Sequence, residues 1–239
     1  MNSINLENLT MPESTRCAYL FRYFYELESV KLPKNATTIH SLIFDECFKL
    51  KNVDIPDTVT TIGFCAFQDC GIESITLPNT ITSISFGAFQ ACKNLESIVL
   101  SNQLDEISDQ AFWRCVSLKS INIPDSVKII SCKAFYECKK LKSITLPNSL
   151  TIIGEEAFGN CTDLESITIP DSVTIIDKGA FKGCKNLKDI TIPNSVTLID
   201  LSVFENCESL ERIKLPERVT EIRNSAFEGC RSLKNITLP

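Results

Sequence analysis

The sequence is poor in the residues that catalysis and cofactor binding draw on. It has one histidine (His40), one tryptophan (Trp113) and only 8 glycines in 239 residues. No GxGxxG or phosphate-loop pattern occurs, and Asp and Glu are scattered along the chain rather than paired. A basic surplus is also missing. The net charge of -6 excludes a nucleic-acid backbone binder and disfavours electrostatic docking on an anionic membrane. No apolar run approaches the length of a membrane-spanning helix. The opening residues, MNSINLENLTMPESTRCAYLF, lack a basic start followed by an apolar stretch, so no secretory signal is expected in them. Asn8, Asn35, Asn160 and Asn235 lie in N-x-[ST] sequons, which are common by chance and do not establish secretion.

What the chain has instead is a repeat. The segments LESVKLP, LKNVDIP, IESITLP, LESIVLS, LKSINIP, LKSITLP, LESITIP, LKDITIP, LERIKLP and LKNITLP begin at Leu27, Leu50, Ile72, Leu95, Leu118, Leu141, Leu164, Leu187, Leu210 and Leu233. Successive starts are 23 residues apart, except for one interval of 22 that loses a residue after Cys70. Each unit reads L-x-x-I-x-[LI]-P-x-x-V-x-x-I-x-x-x-A-F-x-x-C-x-x, with apolar fixed positions such as Leu118, Ile121, Ile123, Val127, Ile130, Ala134, Phe135 and Cys138. Alternating Leu and Ile, a Pro turn and a tight Ala-Phe half describe one coil of a solenoid. One coil cannot bury its own apolar set, and stacking turns these positions into continuous buried ladders.

Residues 1–26 are expected to be a degenerate N-terminal capping coil, and residues 27–239 an array of nine full units plus a partial tenth. Leu6, Leu9, Met11 and Pro12 match the strand half of that first, shorter coil, and Leu20, Phe21 and Phe24 fall where Ala, Phe and Cys stand elsewhere. The sequence stops at Pro239, just after a strand half, with no polar cap. Either the natural chain continues, or a partner associates through that open end.

The recurring AFQDC, AFQACKNL, AFWRCVSL, AFYECKKL, AFGNCTDL, AFKGCKNL and AFEGCRSL, with the preceding LxxIxIP and the 23-residue period, resemble the BspA-like class of leucine-rich repeats. The resemblance covers nearly the whole chain. It implies a surface antigen or adhesin that binds host proteins or other cells. The repeat itself shows a scaffold rather than a ligand. Departures are few: Ser101 replaces the Pro, and Ile43 and Val203 stand where Ala is usual.

Nine of the 12 cysteines (Cys47, Cys70, Cys92, Cys115, Cys138, Cys161, Cys184, Cys207 and Cys230) hold one repeat position. A buried thiol there acts as a small apolar residue whose S–H is offered to a backbone carbonyl. Equivalent side chains on stacked coils point the same way, which keeps their Cβ atoms too far apart for disulfides. No CxxC pair occurs, and a straight ladder gives no tetrahedral zinc site. The off-ladder Cys17, Cys65 and Cys132 are expected to be more exposed. His40 and Cys65 occupy nearby positions of adjacent coils, but with no orienting or oxyanion group in evidence an exposed, non-catalytic His40 is the expectation. No catalytic, cofactor or metal residues are assigned.

Alternation along each strand places its third and fifth residues outward. The fifth positions include Val99, Asn122, Thr145, Thr168 and Thr191, part of a hydroxyl-rich ribbon that is either a soluble strand face or a hydrogen-bonding surface for a partner. The second positions alternate in charge, opposite in seven of nine adjacent pairs, as a ladder supporting coil register. Trp113 and Tyr136 share one position, occupied by Asp45, Gln68, Gln90, Gly159, Lys182, Glu205 and Glu228 elsewhere. That position is expected to be exposed, making the two aromatics either contact anchors or covers for a neighbouring turn. Ile129, Ile152, Ile175 and Leu198 form either an apolar patch or a partly buried ladder.

The expected fold is an α/β-type, right-handed leucine-rich-repeat solenoid, slightly curved, of short parallel strands joined by irregular or short helical turns. The expected function is non-catalytic protein–protein interaction. Partners are proteins, with no nucleic acid and no membrane insertion. A cell-surface location follows from the resemblance. An intracellular scaffold is the alternative, favoured by reduced cysteines, and a cysteine-dependent enzyme the remote one.

Overall fold

In the computed structural model, which describes residues 2–8 and 18–236, the chain winds into a parallel-strand solenoid of about nine turns. Each coil has three segments. A three-residue strand such as Ser143–Thr145 pairs in register with the next coil, Ser166–Thr168, one repeat on. A Pro turn follows, closed by hydrogen bonds such as Val173 N–H to the Pro170 carbonyl at 3.0 Å. A two-residue strand such as Ile152–Ile153 then pairs with Ile129–Ile130 and Ile175–Ile176 on a second ladder. Proline suits the exit from the first ladder because it has no N–H to leave unpaired. Where Ser101 replaces it, the serine is fully buried and its hydroxyl accepts the Gln103 N–H at 3.2 Å.

The third segment corrects the α/β-type expectation: its turns are irregular rather than short helical ones, because no helix is present among the described residues. Two residues per coil adopt left-handed backbone: Lys133 (φ 54°) and Glu137 (φ 58°) in one coil, Glu156 (φ 50°) and Asn160 (φ 56°) in the next. An α-helix requires an unbroken right-handed run. Here alternate N–H groups divide their work instead. Ala134, Tyr136 and Cys138 donate within the turn, to Ser131, Lys133 and Phe135. Lys133, Phe135 and Glu137 donate to Glu155, Ala157 and Gly159 of the next coil, each at 2.8 Å. Left-handed conformation is costly for a residue with a Cβ. The cross-coil hydrogen bond made by the same residue's N–H helps to hold it there.

The fixed positions build the core. The phenylalanines stack without interruption from Phe21 through Phe44, Phe67, Phe89, Phe112, Phe135, Phe158, Phe181 and Phe204 to Phe227. Centroids lie 5.3–5.7 Å apart, with planes within 3–14° of parallel. Each ladder thiol donates to the carbonyl of the phenylalanine one coil back, from Cys47 to Phe21 through Cys230 to Phe204, at 3.0–3.2 Å. Ile43 and Val203, the departures from Ala, are both buried.

The first coil differs in register from the sequence reading. Its strand is Ser3–Asn5, with Ile4 opposite Val30 and Leu6 following as Leu32 does, rather than a strand half beginning at Leu6. Leu6 to Phe21 spans 15 residues against 12 from Leu32 to Phe44, so this coil is longer than its neighbour, not shorter. Leu9, Met11, Pro12, Cys17 and Pro239 lie outside the described residues.

A groove on the strand face as the candidate binding site

The three-residue strands alternate exposed, buried, exposed, so their third and fifth residues face outward over a buried Ile. The ribbon is continuous from Ser143–Thr145 to Asn235–Ile236 but broken earlier. Between Ser97–Val99 and Ser143–Thr145 the pairing shrinks to a single bridge, Asn122 to Thr145. This is the coil after Ser101, where the proline is missing.

An open hollow of about 820 Å³ lies at that break, lined on one side by Val99, Asn122 and Thr145 and on the other by the turn residues Asn102, Asp125 and Asn148. A second hollow of about 550 Å³, sharing Asn148, continues it past Thr168 and Thr191 to Asp171 and Asp189. Together they make a groove with outward strand residues as one wall and an Asn/Asp row as the other. Val99, 58% exposed, is its apolar point. Asp189 at the far end is held by a bidentate pair with Arg212 (2.6 and 3.1 Å), whose guanidinium keeps the carboxyl below its ordinary value. The groove is rich in hydroxyl, amide and carboxylate groups, which suits hydrogen bonding to another polar chain.

The structure therefore brings Val99, Asn122, Thr145, Thr168 and Thr191 together. It does not place Trp113 or Tyr136 with them. Their position is not exposed as expected: both are half-buried, and Asp45 in the same position is fully buried. The Tyr136 ring lies over Gly159, where a Cβ would come within 2.7 Å of it, and its hydroxyl accepts from Asn160 Nδ2 at 2.8 Å. The Arg114 guanidinium covers Trp113 at 4.3 Å. Buried Asp45 is paired by Arg22 Nε at 2.7 Å, yet burial outweighs that partner and raises its pKa.

The aromatic surface lies elsewhere. Tyr23, Tyr25, Phe48, Phe64 and Phe86 are each exposed, and Tyr25–Phe48 and Phe64–Phe86 form stacked pairs. Sequence reasoning passed over them because Tyr25 and Phe48 sit at an unremarked position, one residue past the Cys site. Ile175 is exposed, whereas Ile129, Ile152 and Leu198 are half-buried on the second ladder.

Of the alternating second positions, three pairs close as exposed ion pairs: Lys51–Glu73, Lys119–Glu96 and Lys188–Glu165. A charged hollow of about 550 Å³ around Glu155, Asp200, Glu221 and Arg223 is internally paired, with Lys178–Glu155 at 3.0 Å and Arg223 at 2.9 Å from both Asp200 and Glu221. Cys65 is buried rather than exposed, and burial pushes its thiol up to about 11, opposite to what a nucleophile needs. His40 is half-buried, Cys132 is partly exposed, and no cluster of metal-binding side chains occurs among the described residues. No helix of the described residues is long and apolar enough to cross a membrane.

Stacked short parallel strands, an internal Phe ladder and an exposed strand ribbon define a leucine-rich-repeat solenoid. The family model for the BspA type leucine rich repeat region matches residues 14–141 and 128–239, with 6 copies, and the chain belongs to that family. Among solved structures it resembles a leucine-rich repeat protein from Bacteroides ovatus, at 27% identity and a TM-score of 0.71, over 99% of this chain and 75% of that one. It also resembles the T. pallidum leucine rich repeat protein, at 31% identity and a TM-score of 0.66, over 68% and 78% of the two chains. A leucine rich cell surface protein from Faecalibacterium prausnitzii matches at 27% identity and a TM-score of 0.53, over 98% and 80%. A search of the curated proteins finds no match. Leucine-rich repeats of this family are typically non-catalytic interaction modules.

Proposed function

We propose that this chain is a protein-binding module of a cell surface, an antigen or adhesin in role, and that it engages its partner along the strand-face groove. The observation that carries the reading is the groove itself. It gathers Val99, Asn122, Thr145, Thr168 and Thr191 along one wall, opposite a row of Asn and Asp side chains. Exposed backbone-spaced polar groups of this kind suit an extended segment or loop of a partner protein. The surface location draws support from the F. prausnitzii relative, which is described as a cell surface protein.

Protease shaving of intact source cells tests the location. Release of peptides from this chain, with a cytosolic control protein protected, supports the surface role. Full protection, with the chain recovered intact from inside the cell, favours an intracellular scaffold and contradicts the adhesin reading.

A further inference from the structure

Asp125 and Asp171 hold the same place in their coils, directly after the proline, and both are exposed on the turn wall of the groove. Neither hollow is lined by a lysine or arginine. Elsewhere carboxylates are neutralised from a neighbouring coil, as Glu96 is by Lys119 and Asp200 by Arg223. Asp189, at the far end of the groove, is taken up by Arg212. Asp125 and Asp171 form no such pair among the described residues. Asn102 and Asn148 alternate with them along the row, so the two charges stand two coils apart, roughly 10 Å at ~4.8 Å per coil. That is about a Debye length at physiological salt, which keeps their mutual repulsion small. Each is followed by a serine, Ser126 or Ser172, whose buried hydroxyl has no hydrogen-bond partner among the described residues. Ser149, after Asn148, instead donates to the Val127 carbonyl at 2.6 Å. The two Asp-Ser steps are therefore where polar capacity is left over along this wall. On the strand wall Val99 stands one coil before Asp125, an exposed apolar side chain where the following coils hold Asn122, Thr145, Thr168 and Thr191.

We propose that the groove takes a basic segment of the partner protein, an extended stretch whose apolar residue covers Val99 and whose Lys or Arg side chains pair with Asp125 and Asp171. This deepens the protein-binding reading of the groove and rests on it. From Val99 to Asp171 is three coils, roughly 14 Å, which an extended chain covers in about four to five residues at ~3.3 Å each. A cation entering there meets two carboxylates and no competing cation on either wall. The hydroxyl and amide groups between them suit the backbone of the same segment. An acidic or phosphorylated segment meets only like charge. The net charge of -6 also draws a basic partner towards the chain.

The test selects peptides on the intact full chain from a display library of random sequences, roughly twice that length. Enriched peptides are synthesised and their affinities measured by fluorescence anisotropy. The expected result is enrichment of peptides that carry Lys or Arg within about five residues of an apolar side chain. Asp125→Asn combined with Asp171→Asn weakens them at least roughly threefold, and Val99→Ser weakens them about fivefold. Added salt weakens binding to the parent more than to the double variant. Asn stands naturally at the equivalent Asn102 and Asn148, so the double variant keeps its turns. Enriched peptides without basic residues, peptides that bind the double variant as tightly as the parent, or no enrichment at all overturn the proposal. Thr145→Lys separates that failure from failure of the groove reading, since the same strand position accommodates lysine at Lys31 and Lys214. Peptides that lack basic residues yet lose binding to Thr145→Lys overturn the basic partner alone. Peptides that bind Thr145→Lys as tightly as the parent lie off the strand face and count against the groove as well.

Discussion

The Cys138 thiol donates to the Phe112 carbonyl at 3.2 Å, one coil back, and so ties the two invariant ladders to each other. The same bond recurs in neighbouring coils and explains why the F-x-x-C spacing is kept where surrounding residues vary. Cys138→Ala removes one buried hydrogen bond and leaves a small void. A loss of about 1–2 kcal/mol is expected in urea unfolding. Stability equal to the parent would show that the thiol only fills space.

The ladder thiols give the molecule an alkaline weakness. Burial pushes the Cys47 and Cys92 thiols up to about 12, whereas an unfolded thiol titrates near about 8.5. The native state therefore holds protons that the unfolded chain releases. This contribution is fully present below about pH 8.5 and is lost as pH rises towards about 12. Thermal midpoints measured from pH 8 to 11 are expected to fall, more gently in Cys92→Ala. At pH 8 the native ladder thiols are expected to resist a thiol reagent that labels them at once in denaturant. Rapid native labelling of Cys92 or Cys115 would contradict the hydrogen-bonded, buried ladder.

Phe135 stacks between Phe112 and Phe158 at 5.4 Å on each side and is fully buried. Phe135→Ala opens the middle of the ladder and is expected to cost about 3–5 kcal/mol. Calorimetry or chemical unfolding reads it directly, and a cost below about 1 kcal/mol would mean that neighbouring coils collapse into the gap.

Much of this was legible in the sequence because the fixed positions are strictly periodic. Phe135, Cys138 and the outward Thr145 needed only the 23-residue phase to be placed. The turn segment was not legible. Lys133 and Glu137 adopt left-handed backbone without any local signal, held by hydrogen bonds to a coil 22 residues away. Asp45 misled in another way: a carboxylate suggests an exposed position, and only the Arg22 partner on the previous coil makes its burial possible. In the first coil, Leu6 and Leu9 imitate the repeat spacing, and pairing of Ile4 with Val30 sets a different register. The first hollow of the groove coincides with a gap in strand pairing around Asn122, which follows the visible Ser101 departure but which no residue type announces.

The Arg22–Asp45 pair couples the first coil to the second. Arg22→Ala leaves a buried carboxylate without its partner and is expected to destabilise the chain. Adding Asp45→Ala is expected to recover most of that loss, since Gly159 shows that the position tolerates a small residue. A double-mutant cycle on unfolding free energy measures the coupling, and strictly additive losses would refute it.

Binding along the strand face is the central claim, and site-specific photocrosslinking tests it most directly. A photoreactive amino acid is placed at Thr145, in the groove, and in a separate variant at Thr174, which is exposed outside it. The variants are then returned to source cells and irradiated. Crosslinking of the same partner protein from Thr145 and not from Thr174 is the expected result. Crosslinks from Thr174 with none from Thr145 would contradict it and move the binding surface off the strand face.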